Sequence, residues 1–99
     1  MPTGLKVAFS PKADRDFEDI LTYIKADFGS KASIDFKVLI LKFVDLIASF
    51  PEMGSLELAE KGIRGFVVHR RLKIFYRITD TKIIILRLFD TRQHPERKF

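Results

Sequence analysis

"SPKADRDFEDILTYIKADFGSKASIDFKVLILKFVDLIASFP", residues 10–51, decides how this 99-residue chain folds. Ser10 has the side chain of an N-cap, and Pro11 follows at the first helical position, where its missing N–H costs nothing. Asp14 and Asp16 lie near the positive end of the helix dipole. Ala13, Phe17, Ile20, Leu21, Ile24 and Phe28 then recur at spacings that form one apolar stripe on an α-helix. Gly29 can take the left-handed conformation that ends it. Ser30 is placed to cap a second helix at once, with Ala32, Phe36, Leu39, Ile40, Phe43, Ile47 and Phe50 as its stripe. Pro51 ends that helix, because proline cannot continue the hydrogen-bond ladder. Two helices of about 18 residues, roughly 27 Å each, joined by so short a turn must run nearly antiparallel. Their shared apolar face needs a cover.

The flanking sequence supplies it. "LKVAF" (residues 5–9) reads as a short strand. "PEMGSLELAEKG" (residues 51–62) is turn-rich, with room for a short helical piece. "IRGFVVHR" (residues 63–70) reads as a strand in which Gly65 marks a bulge or a point of close backbone approach. "LKIFYRI" (residues 72–78) is a second strand, "TDTK" (residues 79–82) a turn, and "IIILRLF" (residues 83–89) a third strand. The unbroken apolar run of that last strand predicts a central position covered on both faces. The order β-α-α-β-β-β gives an α+β fold, a helical hairpin packed on a mostly antiparallel sheet. Residues 1–99 form a single domain, since so short a chain has no room for two cores.

Composition narrows the setting. Hydrophobic residues make up 46% of the chain and include ten phenylalanines, enough for one compact core and against global disorder. There is no cysteine, hence no disulfide and no thiolate ligand, which suits a reducing cytoplasm. The N-terminal segment resembles neither a signal peptide nor a membrane anchor, and no apolar run approaches the roughly 20 residues that span a bilayer. A cytoplasmic protein without membrane contact is expected. The formal net charge of +5 and pI near 9.7 favour anionic partners: nucleic acid, the ribosome or an acidic protein.

The charge is unevenly spread. Between Glu60 and Asp80 no acidic residue occurs, whereas Lys61, Arg64, His69, Arg70, Arg71, Lys73 and Arg77 all do. Strand alternation puts Leu72, Ile74 and Tyr76 on one face and Lys73, Phe75 and Arg77 on the other. A basic sheet surface with interleaved aromatics can hold a phosphate backbone. The same cations would equally guard an exposed sheet against edge pairing and cover apolar surface with their stems. The lack of acid tilts the balance toward partner binding. No glycine-rich phosphate loop, H-E-x-x-H or G-x-S-x-G is present. With only two histidines, His69 and His94, a multi-histidine metal site is excluded, and no cofactor is expected. Asp14, Asp16, Glu18 and Asp19 are most simply the solvated face of the first helix. His94 stands before Pro95 in a charged segment, and its pKa range permits acid–base work only if RNA binds nearby.

"SPKADRDFEDILTYI", "FPEMG" and "GIRGFVVHRRLKIFYRITDTKIIILRLFDTRQHPE", in this order and spacing, resemble the RelE/ParE superfamily of toxins from bacterial type II toxin–antitoxin systems. The resemblance covers nearly the whole chain and implies the same hairpin-on-sheet fold. It also implies a cognate antitoxin, expected to be acidic because the chain is basic. RelE-like members cut mRNA on the ribosome without a metal. In that reading Lys73 on the middle strand and Arg92 after the last strand would face the phosphate, with Arg71 beside them. His94 would replace a C-terminal tyrosine, since Lys98 and Phe99 stand about where that tyrosine would be. ParE-like members share the fold, generally lack that set, and poison DNA gyrase by protein contact. Metal-free RNA cleavage needs a group to activate the 2′-hydroxyl and another to protonate the leaving oxygen. Here a phenylalanine without a hydroxyl ends the segment, so the ParE-like branch is favoured. The expected binding face comprises Arg64, His69, Arg70, Arg71, Lys73, Arg77 and Arg92, with gyrase as target. The ribosome and mRNA are the alternative target, and an inert relative that keeps only antitoxin binding is a third reading.

Overall fold

The computed structural model describes residues 5–69 and 72–90, and for His69 only its place in a strand. The elements run β1 (Lys6–Phe9), α1 (Pro11–Phe28), α2 (Ser30–Ser49), a 3-10 turn (Pro51–Met53), β2 (Ser55–Leu58), a second 3-10 turn (Ala59–Lys61), β3 (Ile63–His69), β4 (Leu72–Ile78) and β5 (Lys82–Asp90). The helical hairpin and the mostly antiparallel sheet agree with the sequence. The sheet has one strand more than expected, because β2 forms within the turn-rich segment. Its order is β1-β5-β4-β3-β2, and β1 pairs parallel to β5 while the other neighbours are antiparallel. No helix of the described residues is long and apolar enough to cross a membrane.

Ser10 performs the capping role read from the sequence. Its Oγ accepts the Ala13 N–H at 3.0 Å and donates to the Leu86 carbonyl at 3.0 Å, while its own N–H donates to the Ile85 carbonyl at 2.9 Å. One residue thus starts α1 and continues the β1–β5 pairing. Ser10→Ala is expected to cost about 1 kcal/mol, measured by urea denaturation. A change within error would mean the cap contributes nothing beyond the backbone bonds. The second cap differs from expectation. Gly29, with φ of 96°, occupies the N-cap of α2, Ser30 is already helical, and no side chain caps this end. With a single residue between the helices, Gly29 serves both as the end of one and the start of the other.

The main core lies between the hairpin and one face of the sheet. Ala13, Ile20 and Ile24 of α1 and Ile40, Val44 and Ile47 of α2 meet Leu72, Ile74 and Tyr76 of β4 and Ile83, Ile85 and Leu88 of β5. Phe17 packs between Phe9 of β1 and Phe36 of α2, at ring separations of 5.9 and 6.4 Å. Each fully buried side chain such as Ile40 or Ile74 contributes about 1.5–3 kcal/mol of transfer free energy. The predicted helical stripes need correcting at their margins. Phe28 and Phe50, at the helix ends, are 62% exposed, and Leu39 is exposed while Val44 is buried. The cause is that α2 is apolar on more than one side, so period alone does not choose which residues face the sheet.

A smaller cluster on the outer sheet face joins Ile63, Phe75 and Phe89, with Leu58 and Leu86 packed against them. β5 is therefore interior and apolar on both faces, as its unbroken run predicts. It stands between β1 and β4, whereas the middle strand of the five is β4. Its outer face is covered by neighbouring strand residues, and among the described residues none from a helix joins that cluster.

Candidate functional site

The alternation read for β4 is observed. Leu72, Ile74 and Tyr76 enter the helix-covered core, and Phe75 lies in the outer cluster. Lys73 and Arg77 share the outer face with Phe75. Lys73 is not an isolated cation. Its Nζ sits 3.0 Å from Glu57 Oε2 and 5.3 Å from the centre of the Phe75 ring. Glu57 comes from β2, the strand that the sequence did not reveal.

Three features bring these groups together. Pairing of β2 with β3 jumps from Leu56↔Arg64 to Leu58↔Ile63, so Glu57 is the extra residue of a β-bulge. The bulge redirects its side chain, as bulges do. Gly65 of β3 lies between the two partners, and a Cβ there would meet Lys73 Cε at 2.7 Å and Glu57 Cγ at 3.0 Å. The bulge or close backbone approach expected at Gly65 is corrected: side chains, not backbone, crowd it, and the bulges of β3 and β2 fall elsewhere. Finally, the Ser55 hydroxyl donates to Glu57 Oε2 at 2.8 Å and steadies it.

Arg64 does not stand with Lys73. It is opposite Tyr76 in the register and so projects to the other face. Its Nη1 donates to the Gly54 carbonyl at 2.8 Å and reaches the Glu52 carbonyl at 3.4 Å. Beside it, the Tyr76 hydroxyl donates to the Pro51 carbonyl at 2.6 Å and accepts the Gly54 N–H at 2.9 Å. Burial pushes the Tyr76 phenol above its usual 10.0, opposed by the Gly54 amide and by the charge of Arg64. These two side chains fasten the turn after α2 to the sheet. The single basic face of the sequence reading is therefore divided: Lys73 and Arg77 outside, Arg64 on the other side. Arg70, Arg71, Arg92 and His94 lie outside the described residues, as does the side chain of His69.

A second ion pair also departs from expectation. Asp16 belongs by sequence to a solvated helix face, yet Arg87 holds both its oxygens: Nε donates to Oδ2 at 2.7 Å and Nη2 to Oδ1 at 3.1 Å. Asp16 Oδ2 also accepts the Leu88 N–H at 3.0 Å. β1 ends at Phe9 opposite Ile85, which leaves the following stretch of β5 without that strand partner. The carboxylate takes over there. The bond to Asp16 raises the Arg87 pKa further above its ordinary value. Neither Asp16 nor Glu57 was found from sequence. The only available signal was their type, an acid near the start of a helix and an acid in a turn-rich segment.

Among the described residues, no group of three or more His, Asp or Glu side chains converges as a metal site. Exposed apolar side chains are conspicuous on α2 instead. Ile34, Val38 and Leu41, spaced four and three apart, are 61%, 50% and 45% exposed. Leu39, Lys42, Phe43 and Leu46 line a shallow hollow of about 360 Å³. Where α2 ends, Phe50, Met53 and Ile78 help line a wider one of about 660 Å³.

In fold, the molecule is similar to bacterial toxins of toxin–antitoxin systems. A structure described as the chromosomal ParDE system from P. aeruginosa matches with a TM-score of 0.75 at 19% identity, over 90% of this chain and 98% of that one. A metal-bound toxin from Helicobacter pylori matches at 0.63 and 19% identity, over 91% and 98%. The E. coli DinJ-YafQ toxin–antitoxin complex matches at 0.56 and 13% identity, over 92% and 97%. A family model described as the ParE toxin of type II toxin–antitoxin system, parDE, matches residues 7–95, and the chain belongs to that family. No curated protein sequence matches it significantly.

Proposed function

We propose that this ParE-family toxin acts by binding a protein, DNA gyrase, in the cytoplasm, and that an acidic cognate antitoxin neutralises it. The observation that carries this reading is the state of the sheet cations. Lys73 is engaged by Glu57, and Arg64 by the carbonyls of Gly54 and Glu52. A surface built to hold a scissile phosphate would present such groups to the ligand. The exposed apolar residues of α2 support contact with a protein, since apolar anchors carry most of the affinity of such interfaces. The net charge of +5 supports an acidic antitoxin by speeding the encounter of opposite charges. ParDE and DinJ-YafQ, among the structural matches, are toxin–antitoxin systems.

The test is supercoiling of relaxed plasmid by purified gyrase with increasing toxin. Progressive loss of supercoiled product is expected, while transcripts in arrested cells stay intact. Full supercoiling at the highest soluble toxin concentration would overturn the assignment. Transcripts cut within translated codons would instead establish the RelE-like activity for which Lys73, Arg92 and His94 were singled out.

A further inference from the structure

The pair between Lys73 and Glu57 differs from an ordinary surface ion pair. Lys31 and Asp35, one helical turn apart on α2, also meet at 3.0 Å, but their side chains are 88% and 63% exposed. Exposed pairs of that kind contribute little. The side chains of Lys73 and Glu57 are only 26% and 29% exposed, and they come from strands separated by β3. Their meeting needs a bulge at Glu57, a missing side chain at Gly65 and an aromatic ring beside the ammonium.

We infer that Glu57 is a specificity-determining residue: it occupies the Lys73 ammonium and thereby denies the outer sheet face to a phosphodiester. A carboxylate oxygen 3.0 Å from Nζ takes one of the ammonium's three donors, and its charge repels a second anion. Arg77 is exposed on the same face, four residues along β4 with Phe75 between. Without the charge of Glu57, Lys73 and Arg77 would form a cationic row beside Phe75, the type of surface that holds single-stranded nucleic acid. Glu57 therefore separates a protein-binding toxin from an RNA-binding one on the same sheet. This deepens the protein-contact reading above, but its test does not pass through gyrase.

Binding of a fluorescein-labelled, mixed-sequence single-stranded RNA of about 12 nucleotides to the full chain is followed by anisotropy at low and moderate salt. Glu57→Gln is expected to tighten binding roughly fivefold at low salt and to steepen the log–log salt dependence by about 0.7, the value of one regained phosphate contact. Glu60→Gln makes the same change in net charge on an exposed turn, and is expected to tighten binding less than twofold. Adding Lys73→Gln to Glu57→Gln should abolish the gain. Equal gains from Glu57→Gln and Glu60→Gln would overturn the inference by reducing the effect to net charge. A gain that persists in the double variant would overturn it too. If Glu57→Gln unfolds, Glu57→Asp, which keeps the charge but shortens its reach, is compared with Glu60→Asp. Tighter binding only for the former supports the role of Glu57, and equal binding overturns it. Each outcome is readable whether or not the toxin inhibits gyrase.

Discussion

Replacing Tyr76 by phenylalanine is expected to lower stability by about 2–3 kcal/mol, a fall in Tm of roughly 10 °C or more. The ring is fully buried and would stay so, which removes cavity formation from the argument. What disappears is the hydroxyl that donates to the Pro51 carbonyl and accepts the Gly54 N–H. The Gly54 donor is then buried without its acceptor, and leaving such a group unsatisfied costs more than an average hydrogen bond contributes. The same hydroxyl predicts a pH dependence. Burial raises the phenol's pKa in the folded state above 10.0, so the folded protein holds this proton more tightly than the unfolded chain. Its contribution is fully present below the unfolded pKa and is lost as pH rises through the folded one. Chemical denaturation from about pH 8 to about pH 11 should show a steeper alkaline loss for wild type than for Tyr76→Phe. Parallel curves would mean that Tyr76 ionises no differently in the two states.

Asp16→Ala is expected to cost about 2–3 kcal/mol. The side chains of Asp16 and Arg87 are 17% and 25% exposed, so the figure is set below that for a fully buried pair. Removing the carboxylate leaves the Arg87 guanidinium without its bidentate acceptor and the Leu88 N–H without its partner. Asp16→Asn separates these effects. Its amide oxygen can still accept from Leu88 but cannot offer two anionic oxygens to Arg87, so an intermediate loss is expected. Urea denaturation at neutral pH measures both. Equal losses for the two variants would show that the charge, and not the backbone bond, accounts for the whole effect. Because Arg87 titrates far into the alkaline range, its part of the stability should not vary near neutral pH.

Both predictions concern residues whose roles the sequence hid to different degrees. The face that Tyr76 shares with Leu72 and Ile74 is legible in the sequence, because a strand's side chains alternate with a period of two and that period shows within seven residues. Its hydroxyl partners in the turn after α2 were not, since they depend on how that turn folds back on the sheet. Asp16 was read as solvated because the only local signal was its place in the first turns of α1. Its partner is 71 residues away, across the end of the β1–β5 pairing. β2 was missed because "SLEL" is four residues within a segment rich in turn formers, and it becomes a strand only by pairing with β3.

The sequence by itself determined the helical hairpin, its bounding prolines and glycine, β1, β3, β4 and β5, and the division of β4 into an apolar and a basic face. These are properties of short segments, in which the residues that make the pattern are also those that need it. Among the described residues, the tertiary structure alone decided which cations of the sheet remain available to a partner. Glu57 reaches Lys73 because a bulge, a glycine and the strand order bring them together, and Arg64 turns to the carbonyls of Gly54 and Glu52 on the opposite side of the sheet. An acid-free interval in sequence is therefore not acid-free in space. Strand pairing delivers neighbours from outside the interval, and Coulomb interactions depend on distance through the fold rather than along the chain.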